Sequence, residues 1–315
     1  FDGTDQRLFS YDRNYCVPLP DDRERIKPFV AAELLAEDDP ARIIKLRDLI
    51  AAWSNPSQFF CNSLGLRLGL EDLTVEDIEP QRLDGLDTYL AQQAILDRLL
   101  STEPEPLVRQ RMTLDGALPA GTLGEMIYRR LRREIEPLRR AVEQYGERYP
   151  MEIDVEVDGW RIAGRVEHLT DEAVLHFRPG QIRGKDLAAA WITHLVVAQQ
   201  GLRVESVVVG RHEQQTIEIF EDPRPYLQPL VARFAEIRTR PIPLYPLASR
   251  VFADREQWDS ALATFRGSPH ARGDMDDHHV ALVCRHGNPI ESHDPAFETE
   301  ALAFWKPITQ HLRAE

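Results

Sequence analysis

The chain has no apolar run approaching the roughly 18 to 20 residues that span a bilayer, and its opening Phe1-Asp2-Gly3-Thr4-Asp5 lacks the basic, apolar pattern of a secretion signal. It begins as if cut from a longer chain. Cysteine is scarce: Cys16, Cys61 and Cys284 are odd in number and far apart, which excludes a disulfide framework and any C-x-x-C metal or redox pair. A reduced, cytoplasmic protein with no membrane contact is expected. Positive charge is also in deficit, with 38 basic against 52 acidic side chains and a formal charge of -14. Such a surface repels phosphate as a whole, so any nucleic-acid contact must come from a local patch. What is present is ample apolar material: 43% of 315 residues, enough for a real buried core and too much for a disordered chain.

Residues 1–40 are polar, proline-bearing and aperiodic, and read as a linker whose aromatics, Phe9 and Tyr11 among them, become ordered only against a partner surface. A helical segment over 41–116 follows. Asp39-Pro40 predicts a helix start leading to Ile43, Leu46, Ile50 and Trp53 on one face. Asn55-Pro56 ends it and opens a second helix carrying Phe59 and Phe60, and two more are expected at about 86–101 and 104–114. Over 117–240 the order is α, three β, α, two β, α. Ile127, Leu131, Ile135, Leu138 and Val142 mark a long helix bent at Pro137. Ile153, Val155 and Val157 then alternate with acidic residues up to an Asp158-Gly159 hairpin turn. This predicts an α/β (α+β) sheet domain. Residues 241–315 read as a helical extension packed on it, with helices at 249–266 and 295–312.

Most motif-like stretches do not carry chemistry. Gly180-Gln181-Ile182-Arg183-Gly184-Lys185-Asp186 falls one residue short of a phosphate loop and ends in Asp where Mg²⁺ ligation needs Ser or Thr. His212-Glu213-Gln214-Gln215-Thr216 lacks the second histidine of a zinc protease. The His270, His278, His279, His286, His293 and Asp274 region matches no compact zinc spacing and reads as a solvated loop, so no metal is expected; Arg272-Gly273-Asp274 reads as a turn. Arg129, Arg130, Arg132, Arg133, Arg139 and Arg140 concentrate positive charge on one helix. They are either a phosphate contact or a solvated face paired with Glu134, Glu136 and Glu143.

Four stretches in order, Leu8-Phe9-Ser10-Tyr11, Trp53-Ser54-Asn55-Pro56-Ser57-Gln58-Phe59-Phe60, Leu118-Pro119-Ala120-Gly121-Thr122-Leu123-Gly124-Glu125 and Met151-Glu152-Ile153-Asp154, resemble the C-terminal part of the RecC family, the gamma subunit of exodeoxyribonuclease V (RecBCD). The resemblance implies a PD-(D/E)xK nuclease-like mixed sheet flanked by helices. It also implies RecB-like and RecD-like partner subunits, duplex-end or forked DNA, and a role in DNA double-strand-break repair and homologous recombination. Aligned with the active nuclease pattern, the histidine of Gly-x-x-x-His is Glu125, the aspartate of Gly-x-x-Asp is Glu167, Asp-x-Lys reads His176-Phe177-Arg178, and Gln-x-x-x-Tyr reads Leu187 to Trp191. Imidazole is a poor Mg²⁺ ligand, and an arginine with a pKa above about 12 cannot take a proton from water. The expectation is a nuclease fold without nuclease chemistry and without a cofactor, which scaffolds a complex and guides strands. The alternatives are a divergent nuclease using Glu125, Glu167 and His176 with Mn²⁺, and a purely structural interaction module. The family further implies a rigid strand-separating pin. The two turns offered for it are Asp158-Gly159 with Trp160, and the 115–119 turn with Leu118 and Pro119; both also read as ordinary surface turns.

Overall fold

The computed structural model describes residues 29–30, 42–69, 83–101 and 103–314. In chain order the elements begin with β1 (Ile43–Lys45), α1 (Leu46–Ser54), α2 (Pro56–Ser63), α3 (Gly85–Leu100), α4 (Glu105–Leu114) and α5 (Gly121–Glu143). The central part follows as β2 (Tyr149–Val157), β3 (Trp160–Leu169), β4 (Ala173–Phe177), α6 (Gly184–Gln199), β5 (Glu205–Val209), β6 (Gln214–Ile217) and α7 (Arg224–Thr239). The chain closes with α8 (Ala248–Arg255), α9 (Trp258–Arg266), α10 (His278–Val283), α11 (Pro295–Gln310) and β7 (Leu312–Ala314).

The strands form one mixed sheet. β2 and β3 pair antiparallel around Asp158 and Gly159, whose φ values of 49° and 75° are the two positive angles that a two-residue hairpin turn requires. β4 and β5 are parallel, joined by the α6 crossover, and β6 and β7 extend the sheet antiparallel. Alternation along the central strands splits the apolar side chains between two faces. Val174 and Val208 point into a core built with α1, α6, α7 and α11. Leu175, Val207 and Val209 point into a second core, under α3, α4 and α5. A strand buried on both faces is a continuous apolar run rather than an alternating one, as Val207-Val208-Val209 is. A third core, centred on Tyr245, Phe252, Phe265 and Phe297, holds α8 to α10 and the start of α11 together. Helix α11 joins this core to the first, since Phe304 and Trp305 near its end belong to the sheet side.

Several expectations need correction. Ile43–Lys45 is not the start of a helix but a short strand, parallel to Arg161–Ala163 of β3. β1 partners the start of β3 on the side away from β2, where β4 partners its end at Leu169, and Ile44, at 1% exposure, joins the core by this pairing. The expected 249–266 helix is two helices, broken where Glu256 adopts a left-handed φ of 53° and closes α8 by donating its N–H to the Phe252 carbonyl. Residues 312–314 leave helix and enter the sheet. The His/Asp-rich stretch is not a solvated loop: Val280, Cys284 and Ile290 are buried in the third core. Asp274 accepts the Leu247 and Ala248 N–H groups at the start of α8, and Asp277 caps α10. The expected long helix is present as α5, with Pro137 inside it. Phe9 and Tyr11 lie outside the described residues. Among the described residues no helix is long and apolar enough to cross a membrane.

Gly124 marks the tightest approach in the second core, because a Cβ there would stand 1.8 Å from the Pro119 carbonyl oxygen. Gly121, with φ of 70°, has open space around it. Gly124→Ala is therefore expected to destabilise the fold by about 3 kcal/mol through forced backbone displacement. Gly121→Ala should cost only the conformational term of about 1 kcal/mol. Chemical denaturation of the two variants measures the difference, and equal costs would refute the packing argument.

Candidate functional site

Where β3, β4 and the start of α6 meet, a cavity of about 570 Å³ is lined by Glu167, His168, His176, Arg178, Asp186 and, from α3, Asp97. Three of the four residues aligned with nuclease positions, Glu167, His176 and Arg178, thus come together. The fourth does not: Glu125 lies on α5 and pairs with Arg109 at 3.2 Å and Arg129 at 2.6 Å.

The chemistry of the cavity is set by Arg178. Its side chain is 8% exposed and donates to Asp186 Oδ2 at 2.6 Å, while its guanidinium lies 5.1 Å from the centre of the Tyr89 ring. Its main-chain N–H is tied to Val209 on the neighbouring strand, so the base of the side chain cannot drift. Asp186 Oδ2 also accepts the Arg183 N–H at 2.8 Å, so one carboxylate both neutralises the arginine and caps the first turn of α6. Burial pushes the His176 imidazole down to about 4, with His168 adding to the shift, and leaves the ring neutral at pH 7. Its Nε2 is buried without a hydrogen-bond partner. Glu167 faces outward beside Arg165, 3.3 Å away.

A hard divalent cation requires several oxygen ligands and no competing positive charge. Here a guanidinium occupies the carboxylate Asp186, and His176 offers a borderline nitrogen donor. Among the described residues no three His, Cys, Asp or Glu side chains are grouped as a metal-binding set. The residues do not fit Mg²⁺, and no lysine stands where a water-activating amine would be needed. Leu187 and Trp191 are core residues of α6, each 1% exposed, with Trp191 stacked on His311.

The arginine-rich helix resolves as a self-neutralising ridge. Glu136 accepts from Arg139, Arg140 and Arg132, and these hydrogen bonds, that from Arg139 foremost, hold its carboxyl at about 2. Arg139 also reaches Glu143, Arg130 faces Glu134 at 3.8 Å, and Arg133 donates to the Arg129 carbonyl. Of the residues offered as strand-separating wedges, Leu118 and Pro119 are buried, Leu118 at 3% in the second core, and so present no apolar edge to solvent. Trp160 is half-buried against the first core. Asp158 is exposed but accepts from Gln228 of α7 at 3.0 Å, which ties the hairpin tip down. Phe60 is fully buried and Phe59 packs on Phe234.

Sequence reasoning passed over Asp186 as the partner of Arg178. Its place three residues after Arg183, the N3 position of a capping box, was the available signal. These features define a three-layer α/β domain in which an ion pair lines a polar cavity at the sheet. Residues 41–257 match the family RecC C-terminal domain, and the chain belongs to that family. It is 29% identical over 167 residues to the RecBCD enzyme subunit RecC of Escherichia coli K12, covering 52% of this chain and 15% of that protein. It is 26% identical over 228 residues to RecBCD enzyme subunit RecC of Mycobacterium tuberculosis, covering 69% and 20%. With the protein of the same name from Buchnera aphidicola of Schizaphis graminum it shares 25% over 170 residues, covering 53% and 16%. The matched part spans a fifth or less of the length of these relatives.

Two outcomes follow from the ion pair and the buried imidazoles. Removing one partner strands a buried charge, so Arg178→Ala is expected to cost about 3 kcal/mol. Arg178→Met combined with Asp186→Asn, which keeps the helix cap, should recover more than half of that loss in urea titrations. His194, 2% exposed and bonded through Nδ1 to Ser206, is pushed down to about 4 chiefly by burial. The unfolded chain takes up this proton near pH 6.5, so its contribution is complete above that value and is lost as the pH falls toward 4. Asp274, raised to about 6 by burial, works the other way, adding stability as the pH drops through 6. In His194→Gln the loss of unfolding free energy between about pH 7 and 5 should shrink by about 1 to 2 kcal/mol. An unchanged pH dependence would contradict a neutral buried imidazole.

Proposed function

We propose that this chain is a catalytically silent domain of the PD-(D/E)xK nuclease type, which serves a RecBCD-like helicase-nuclease in DNA double-strand-break repair by scaffolding rather than by cleavage. The observation that carries this reading is the Arg178–Asp186 pair, which puts a permanent positive charge where a hydrolytic site needs a cation and a titratable amine. Residues 117–240 form the nuclease-like unit in this reading, and 241–315 pack on it. The protein works in the cytoplasm beside RecB-like and RecD-like subunits, to which cleavage and ATP hydrolysis belong, and it guides DNA strands at a duplex end or fork. With Leu118 and Pro119 in the core and Trp160 packed, any strand-splitting contact falls to the exposed Asp158-Gly159 tip.

The chain is expected to leave linear duplex DNA intact in Mg²⁺ or Mn²⁺, and to associate with a RecD-like or RecB-like subunit at micromolar concentration. Metal-dependent degradation that disappears in Glu167→Ala would overturn the silent-site reading. Failure to associate with either subunit at low salt would overturn the scaffolding.

A further inference from the structure

Helices α7 and α11 each carry a proline inside, Pro229 and Pro307, and the two prolines stand at the same cleft. The cleft is a cavity of about 100 Å³ whose floor is aromatic: Trp53 of α1, Trp191 of α6, Tyr226 and Phe304. Its mouth is open, since Pro225, Pro229 and Ala303 are exposed, whereas Trp53, Trp191 and Phe304 are buried. The rings are fixed by contacts of their own. Trp53 stacks on Phe304 with ring centres 5.1 Å apart and donates its Nε1–H to the Leu230 carbonyl at 3.1 Å. Trp191 meets Tyr226 edge-on at 5.4 Å, and the Tyr226 hydroxyl is held by His311 Nε2 at 3.0 Å.

The polar groups around this floor are acceptors. Glu300 is 6% exposed and lines the cavity. Its Oε1 accepts from Arg233, while among the described residues its Oε2 has no hydrogen-bond partner. Arg233 also donates to Glu236 at 3.0 Å, so its single charge is divided between two carboxylates. A proline inside a helix removes the N–H that would bond to the carbonyl four residues earlier. Here those carbonyls belong to Pro225 and Ala303, and both residues line the cleft. The opposite requirement, donors for an anion, is not met. Helix α7 begins here, yet every N–H of its first turn is engaged or missing: Arg224 donates to Asp222 at 3.1 Å, Pro225 has none, and Tyr226 and Leu227 both donate to the Pro223 carbonyl.

We infer that the cleft binds a primary alkylammonium group, the end of a free aliphatic polyamine, with Glu300 Oε2 as the charged acceptor, the Pro225 and Ala303 carbonyls as neutral ones and the aromatic floor against its methylenes. An ammonium brings three donors and no acceptor, the complement of this set. Its charge is attracted to the faces of tryptophan and tyrosine rings, most strongly where water is excluded. Size agrees: an apolar cavity of about 150 Å³ holds benzene, and this smaller one suits a linear chain of about four carbons that continues out through the mouth. The net charge of -14 concentrates small polycations at the surface, which favours a polyamine over a monoamine. The inference goes beyond the proposed function and does not depend on it.

The test is isothermal titration calorimetry of the full chain with putrescine up to about 10 mM. Putrescine is expected to bind at one site, and n-butanol, which keeps the chain but lacks the charge, at least about tenfold more weakly, the loss expected for a charge-assisted hydrogen bond. Glu300→Gln should weaken putrescine by a similar factor. Because Glu300 also holds Arg233, a second variant leaves the ion pair alone: Ala303→Phe, at the exposed rim, should close the mouth and abolish binding. Glu298→Gln makes the same charge change at an exposed position of the same helix and should bind as wild type. Circular dichroism melting confirms that the variants are folded. Absence of saturable binding by the wild-type chain would overturn the inference. Binding as tight as wild type in folded Glu300→Gln or in Ala303→Phe would also overturn it, leaving only diffuse attraction of counterions. Equal affinity for n-butanol would reduce the cleft to an apolar one and refute the ammonium site. Tighter binding of N-acetyl-lysine amide than of putrescine would overturn the free polyamine in favour of a lysine side chain of another protein.

Discussion

The ion pair between Arg178 and Asp186 joins the end of β4 to the first turn of α6, and much of the domain is arranged around that junction. An arginine buried this deeply is tolerated only when its charge is met. Asp186 meets it while capping the helix, so the loop between them is short and fixed. From that fixed start α6 carries Leu187, Trp191 and Leu195 into the first core, and its register decides which face of β5 packs beneath it. The guanidinium that lies in the polar cavity therefore also supports the fold.

Electrostatics divide the surface in the same spirit. The arginines of α5 are spent internally, on Glu125, Glu134, Glu136 and Glu143, and surface pairs of this sort add little stability individually. Their effect is to silence a helix that by composition alone looks like a phosphate-binding ridge. Positive charge left unmatched collects instead at the loops following β4 and β5, contributed by residues far apart in sequence. On a chain that is acidic overall, such a cluster makes the local potential there less negative than the average of the surface.

The parts of the fold legible in the sequence are those whose signal is local. The period-two run Ile153, Val155, Val157 with Asp158-Gly159 specified the hairpin, and Asn55-Pro56 specified a helix end and start, with Asn55 accepting the Gln58 N–H as a cap should. What was not legible depends on partners distant in the chain. Ile43–Lys45 becomes a strand only because β3 offers an edge about 118 residues later, and Leu312–Ala314 only because β6 does. Asp274 looked like a turn residue, and its role at the start of α8 is visible only when Leu247 and Ala248 lie beside it. At the site, His176 and Arg178 were readable as departures from a nuclease pattern, whereas Asp186 as their counterweight and Glu125 as an outlier on another helix required the geometry.

The central proposal is that the Arg178 guanidinium stands where an active nuclease of this type would hold a metal. A crystal of the chain soaked in Mn²⁺ and measured at the manganese absorption edge tests it most directly. The account predicts no anomalous peak in the cavity bounded by Glu167, His176 and Asp186, and an intact contact between Arg178 and Asp186. A manganese ion bound by Glu167 and Asp186, with the Arg178 guanidinium displaced, would contradict it.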